Sequence, residues 1–144
     1  MAHSDSLEVA SALHRAAIRI LRAVRVADEE TGVSAPKLSA LSVLVFGGAT
    51  SLTALARAEQ VTAATMSKLV SDLEGAGLVA KRVDRADKRG VRIEVTAKGR
   101  ALTEAGRKRR LALLQARLAK LSRDERALLA DAAALMQRVA DASS

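Results

Sequence analysis

Cysteine is absent from this 144-residue chain, which excludes disulfides, thiolate metal sites and thiol redox sensing. Tryptophan and tyrosine are absent too, and Phe46 is the one aromatic residue. Proteins that grip single strands or RNA loops stack bases on aromatic rings, so a polyanionic partner here points to duplex DNA. The two histidines, His3 and His14, are too few and too far apart for a zinc site, and no metal or cofactor is expected. His14, on the first predicted helix, reads as a surface residue. No apolar run approaches the ~20 residues of a membrane span. The longest, Leu41 to Phe46, is short and contains Ser42. The start, Met1-Ala2-His3-Ser4-Asp5, lacks the basic and apolar segments of a secretion signal, so the expectation is a cytoplasmic protein. There is no Gly-rich phosphate loop and no Ser–His–Asp set in context. Asp84 and Asp87 sit in a polar loop that implies no pocket. An enzyme is therefore not expected.

What the chain does have is positive charge and helical periodicity. Lysine and arginine number 24 against 16 acidic residues, a net charge of +8, which favours polyanions. Much of it is local. Lys81, Arg82, Arg85, Lys88, Arg89 and Arg92 crowd one stretch whose acids are Asp84 and Asp87, and Arg107-Lys108-Arg109-Arg110 follows closely. With 49% hydrophobic residues the chain is large enough for one core and too small for two, so residues 1–144 are read as a single domain.

Apolar positions Leu13, Ala17, Leu21 and Val24 recur at helical spacing and predict a helix from Leu7 to about Glu30, stopped at Gly32. Ser34-Ala35-Pro36 opens a second helix that buries Leu38, Leu41 and Val45 and stops at Gly47-Gly48. Thr50 or Ser51 starts a short helix with Leu52, Leu55 and Ala56 inward. Glu59-Gln60-Val61 is a turn, and Thr62 caps a helix from Ala63 to about Glu74 with Met66, Leu69, Val70 and Leu73 as its apolar stripe. After Gly75-Ala76-Gly77 the period changes. Leu78 to Val83 and Val91 to Val95 read as strands around the loop Asp84–Gly90, a hairpin with a basic tip. Thr96 caps a long helix from Ala97 to about Leu121. Ser122 and Glu125 form a capping box for a last helix carrying Leu128, Leu129, Ala132, Leu135, Met136 and Val139. The fold class is mostly α with a small β-hairpin wing (α+β). A winged helix-turn-helix lobe, residues 36–99, is flanked by long outer helices, residues 7–30 and 97–141.

Two short helices joined by a tight turn let the second enter the ~12 Å major groove. Burying the stripe of the Ala63–Glu74 helix turns Ala64, Ser67, Lys68 and Ser71 outward, small enough or positive enough to approach DNA. Thr62 and the first-turn N–H groups, with Ala63 and Thr65, suit a phosphate oxygen. Ser51, at the start of the preceding helix, joins the candidate contacts. The hairpin supplies Arg85, Asp87, Lys88 and Arg89. Its arginines suit the negative minor groove, and Asp87 is placed to orient one of them.

These residues also carry a resemblance. Leu52-Thr53-Ala54-Leu55-Ala56, Thr62 to Val70, Leu73-Glu74, Gly77-Leu78-Val79, Asp87-Lys88-Arg89 and Thr96-Ala97-Lys98-Gly99 together resemble the multiple antibiotic resistance regulator (MarR) family, in helix order over essentially the whole chain. The Asp-x-Arg wing followed by a Thr-x-x-Gly helix start is the most specific part. The resemblance implies a homodimeric transcription regulator, usually a repressor. Its helix matching Ala63–Glu74 would enter the major groove, and the arginine matching Arg89 the minor groove. It also implies release from DNA by a small, often phenolic, anionic or aromatic effector. The sequence departs from the family where Lys68 replaces a common arginine and where Ala80-Lys81-Arg82 shifts the basic residues along. A lysine offers a point charge rather than a fork, so Lys68 is expected on a phosphate.

The outer helices carry more apolar residues than one small core needs, and a two-fold interface is their natural sink. A dimer would read a palindromic operator with half-sites about 34–36 Å apart. The run Arg107–Arg110 is read as a solvated helix face. The competing reading is a nonspecific nucleoid or architectural protein, with the same charge but equal affinity for any duplex.

Overall fold

The computed structural model describes residues 2–86 and 90–142. Among them lie six α-helices, one 3-10 helix and a small three-stranded antiparallel sheet, the mostly helical winged arrangement anticipated from the pattern. They form two compact units, divided between Arg110 and Leu111.

In the first unit, α1 (Ala2–Arg25) ends five residues before the expected Glu30, and Val26–Thr31 tightens into a 3-10 helix. Thr31 explains the change. Its hydroxyl donates to the Asp28 carbonyl at 2.7 Å and accepts from the Val33 amide at 3.1 Å, closing a narrower turn than an α-helix allows. Gly32 follows at φ +67, where a side chain would be strained. In α2 (Ala35–Gly47), Pro36 occupies the first turn and Leu38 and Leu41 are buried as expected. Val45 is only half-buried. Leu44 and Ala40 take the core positions instead, because the buried stripe is centred on Leu41 and Leu44, one step of the helical wheel from Val45.

A two-residue strand, β1 (Thr50–Ser51), precedes α3 (Leu52–Ala58). Ser51 caps α3 by accepting from the Ala54 amide at 3.1 Å. The turn into α4 (Ala63–Gly75) puts Gln60 at φ +56, and Thr62 caps α4 by accepting from the Thr65 amide at 3.1 Å. Strands β2 (Val79–Val83) and β3 (Val91–Val95) form the hairpin, with Lys81 opposite Ile93 and Val83 opposite Val91. The sheet order is β1-β3-β2, so the hairpin is tied through β1 to the start of α3. Leu41, Leu44, Leu55, Met66, Val70, Leu73 and Ile93 are completely buried where α2, α3, α4 and β3 meet. Each such side chain contributes about 1.5–3 kcal/mol of apolar transfer, so this cluster is what fixes the helix-turn-helix against the hairpin.

Helix α5 (Ala97–Leu118) starts on the end of α4. The Thr96 amide donates to the Leu78 carbonyl at 3.0 Å, its hydroxyl to the Gly77 carbonyl at 2.6 Å, and Lys98 Nζ to the Ala76 carbonyl at 3.0 Å. Carbonyls left over where α4 ends thus find donors in the first turn of α5. Gly99 lies directly over the Leu78 carbonyl, with no room for a β-carbon.

The second unit comprises α5 from Leu111 onward and α6 (Arg123–Asp141). Helix α5 ends at Leu118 rather than Leu121, and the intervening residues turn through hydrogen bonds from Lys120 to Arg117 and from Leu121 to Leu118. The capping box is present, with the Glu125 amide 3.1 Å from Ser122 Oγ and the Ser122 amide 2.8 Å from Glu125 Oε2. Leu128, Leu135 and Val139 of α6 are 70%, 57% and 66% exposed and form an apolar face of this unit.

Candidate nucleic-acid interface

Helix α4 is two-sided. Met66, Val70 and Leu73 are fully buried, while Thr62, Ala63, Ala64, Thr65, Ser67, Lys68 and Ser71 are exposed, so the predicted outward face is the solvent face. At its start, the Thr62 hydroxyl donates to that of Thr65 at 2.9 Å while accepting the cap bond. An open groove of about 510 Å³ runs alongside, lined by Ser34, Lys37, Thr65, Lys68 and Asp72. Lys37 and Asp72 span it with a 3.4 Å ion pair. Ser51 is exposed, though its hydroxyl is already engaged as the α3 cap. Arg85 is exposed at the start of the wing loop, while Asp87, Lys88 and Arg89 lie outside the described residues.

The basic stretch of the hairpin is less available than its composition suggests. Lys81 Nζ is 3.7 Å from Glu74 at the end of α4, and Arg82 pairs with Glu94 on β3. Arg92 reaches Asp84 at 3.7 Å and donates to the Ala49 carbonyl. These exposed pairs add little stability, but they orient their side chains along the sheet.

The run in α5 needs a correction. Arg107 and Lys108 are exposed as expected of a solvated face, but Arg109 and Arg110 are half-buried. Arg110 pairs with Asp28, and Arg109 donates to the Ala27 carbonyl at 3.2 Å and lies 3.7 Å from Glu30. Two of the four arginine and lysine residues thus tie α5 to the 3-10 helix. Their partners are 82 residues or so away in sequence, beyond the reach of any local pattern. A cavity of about 230 Å³ adjoins this anchor, lined by Leu21, Val24, Arg25, Leu38, Ser42 and Arg110 among others. His14 is exposed on α1. Among the described residues no group of three or more His, Asp or Glu side chains is placed to hold a metal ion. No helix among them is long and apolar enough to cross a membrane.

A short helix, a tight turn and a second helix with a bare polar face, braced by a three-stranded hairpin sheet, define a winged helix-turn-helix DNA-binding protein. A model of the MarR family matches residues 31–90. An HTH-type transcriptional regulator of Mycobacterium bovis is 36% identical over 143 residues, covering 99% of each chain. The structure of a MarR family protein from Bacillus stearothermophilus matches over 99% of each chain, with a TM-score of 0.86 at 22% identity. BpsR of Bordetella bronchiseptica, whose structure addresses the regulation of its DNA binding by 6-hydroxynicotinic acid, matches 94% of each chain at 27% identity and a TM-score of 0.67. The chain belongs to the MarR family of winged helix-turn-helix transcriptional regulators.

Proposed function

We propose that this regulator reads a specific duplex sequence as a homodimer, that it represses transcription in the cytoplasm, and that a small anionic effector releases it. The observation that carries the reading is the polar face of α4. From Ala63 to Ser71 its exposed residues are alanine, serine, threonine and one lysine, over a helix whose opposite side is locked in the core. The exposed acids Asp72 and Glu74 come only at its C-terminal end, each beside a lysine, Lys37 and Lys81. Small side chains permit close entry to a major groove, and Ser67 and Ser71 offer hydrogen bonds to either bases or phosphates. In this reading Lys68, Thr62, Ala63, Ala64, Thr65 and Ser51 lie along the groove wall. Arg85, Asp87, Lys88 and Arg89 form the wing contact, with Arg89 in the minor groove.

The exposed apolar face of α6 supports a two-fold interface, and so, independently, do the exposed Leu7, Val9, Ile20 and Leu21 of α1. Two reading heads then match a palindromic operator. For the effector, support comes from BpsR, whose DNA binding is regulated by 6-hydroxynicotinic acid, and from the cavity beside Arg25. There Arg110 is already paired with Asp28 and, among the described residues, Arg25 is the cation left to meet a small acid.

The test is binding to the region upstream of the protein's own gene and to random DNA, each at two salt concentrations. A preference for the upstream duplex that persists at the higher salt is expected. Equal affinities would overturn sequence-specific reading and leave a nonspecific architectural role.

A further inference from the structure

Arg92 stands at the crossing point of the sheet. On β3 it lies opposite Ser51 of β1 on one side and Arg82 of β2 on the other. Two arginines facing each other across adjacent strands repel, and each is drawn to a different acid. Arg82 takes Glu94 on the neighbouring strand, whereas Arg92 turns to Asp84, just beyond the last residue of β2. The other arm of the Arg92 guanidinium donates to the carbonyl of Ala49, in the connection between α2 and β1. Asp84 is itself the neck of the wing. Its amide donates to the Gly90 carbonyl at 2.9 Å, and its carboxylate accepts from the Ala86 amide at 2.9 Å. One side chain therefore links the base of the wing loop to the backbone that enters the helix-turn-helix.

We infer that Arg92 is a positioning residue for DNA reading, clamping the wing through Asp84 so that it keeps a fixed direction relative to α3 and α4. This rests on the proposal that α4 and the wing touch one duplex together. Arg92 would act without touching DNA, although it sits in the basic stretch whose charge suggests phosphate contact. A lysine could replace it only in part, since its donors share one nitrogen, whereas Arg92 reaches the carbonyl and the carboxylate from two separate nitrogens of a planar fork.

The two accounts make opposite forecasts for Asp84→Asn. If charge alone matters, removing an acid beside DNA strengthens binding. If Asp84 is half of a clamp, the same change weakens it. The measurement compares wild type, Arg92→Ala, Arg92→Lys and Asp84→Asn on a duplex selected by the wild-type protein from a randomised pool, and on a scrambled duplex, over a salt series. The expected result is a loss of roughly two- to five-fold on the selected duplex for both Arg92→Ala and Asp84→Asn, the size of one exposed ion pair. Arg92→Lys recovers only part of it. The slope of log affinity against log salt stays at the wild-type value, because no phosphate contact is lost. A slope reduced by about one in Arg92→Ala, with Asp84→Asn neutral or tighter, would make Arg92 a direct phosphate contact and overturn the clamp.

Amide hydrogen exchange supplies a readout without DNA. The Asp84 and Ala86 amides should exchange faster in both Arg92→Ala and Asp84→Asn, and unchanged exchange in either would also sink the inference. Failure of the underlying reading looks different. The wild type would then show no preference between the two duplexes, while the exchange measurement would still judge the clamp.

Discussion

A β-carbon on Gly99 would fall inside the van der Waals surface of the Leu78 carbonyl oxygen. That oxygen also accepts the Thr96 amide, and Gly77 and Ala76 beside it accept from Thr96 and Lys98. The Thr-x-x-Gly start of α5 is thus a latch on the end of α4, and glycine is the residue that lets the latch close.

Gly99→Ala is therefore expected to destabilise the fold by about 2–4 kcal/mol, since a backbone carbonyl rather than a flexible side chain has to give way. Urea unfolding measures this directly. The neighbouring Lys98→Ala, which loses one exposed hydrogen bond, should cost about 1 kcal/mol or less.

Thr62 begins the helix assigned to the major groove. Thr62→Ala should lower stability by about 1 kcal/mol, the usual worth of an N-cap, and Thr62→Ser should restore most of it. Thermal unfolding of the pair separates the cap from any contact the methyl group makes.

Arg110 and Arg107 lie three residues apart on α5 with different surroundings. Replacing Arg110 with alanine leaves the half-buried Asp28 carboxylate without its guanidinium and is expected to cost about 1–2 kcal/mol. Arg107→Ala, on the exposed side, should stay within about 0.5 kcal/mol of wild type. Equal effects in denaturant titrations would contradict the anchoring of α5 to the 3-10 helix.

The α6 face offers a test of assembly. Leu135→Glu combined with Leu128→Glu places two charges on an apolar surface and should leave the monomer folded while shifting light-scattering mass from dimer to monomer. Affinity for a palindromic duplex should fall with it. A wild-type protein that is monomeric at micromolar concentration would refute the dimer.

Lys68 should behave as a phosphate contact. Lys68→Ala is expected to weaken binding to preferred and random duplexes alike and to reduce the salt slope by about one. A loss confined to the preferred duplex would instead place Lys68 on a base edge.

The architecture was largely legible because its strongest signals are local. Ser51, Thr62 and Ser122 announce helix starts, Gly32, Gly48 and Gly77 announce ends, and the 3.6-residue stripe of Met66, Val70 and Leu73 marks the buried side of α4. What escaped was short or distant. Thr50–Ser51 is too brief for an alternating pattern to show, and it is a strand only because β3 lies beside it. The tightening after Arg25 depends on where the Thr31 hydroxyl bonds. Composition could count the charges in the hairpin and in α5. It could not show that Lys81, Arg82, Arg92 and Arg110 each have a carboxylate nearby, because pairing follows from tertiary placement. The exposed face of α4 was readable for the opposite reason, since whatever the core does not bury is left outside.

Strand β1 is two residues long, yet it hydrogen-bonds to the wing on one side and runs straight into the Ser51 cap on the other. Backbone pairing thus joins the base of the wing to the start of α3, a short splice between the two parts of the fold. In the proposed reading, where α4 and the wing share one duplex, such a splice would leave part of the fit to the duplex. Sequences whose pyrimidine–purine steps bend or narrow easily would be favoured at base pairs the protein never reaches.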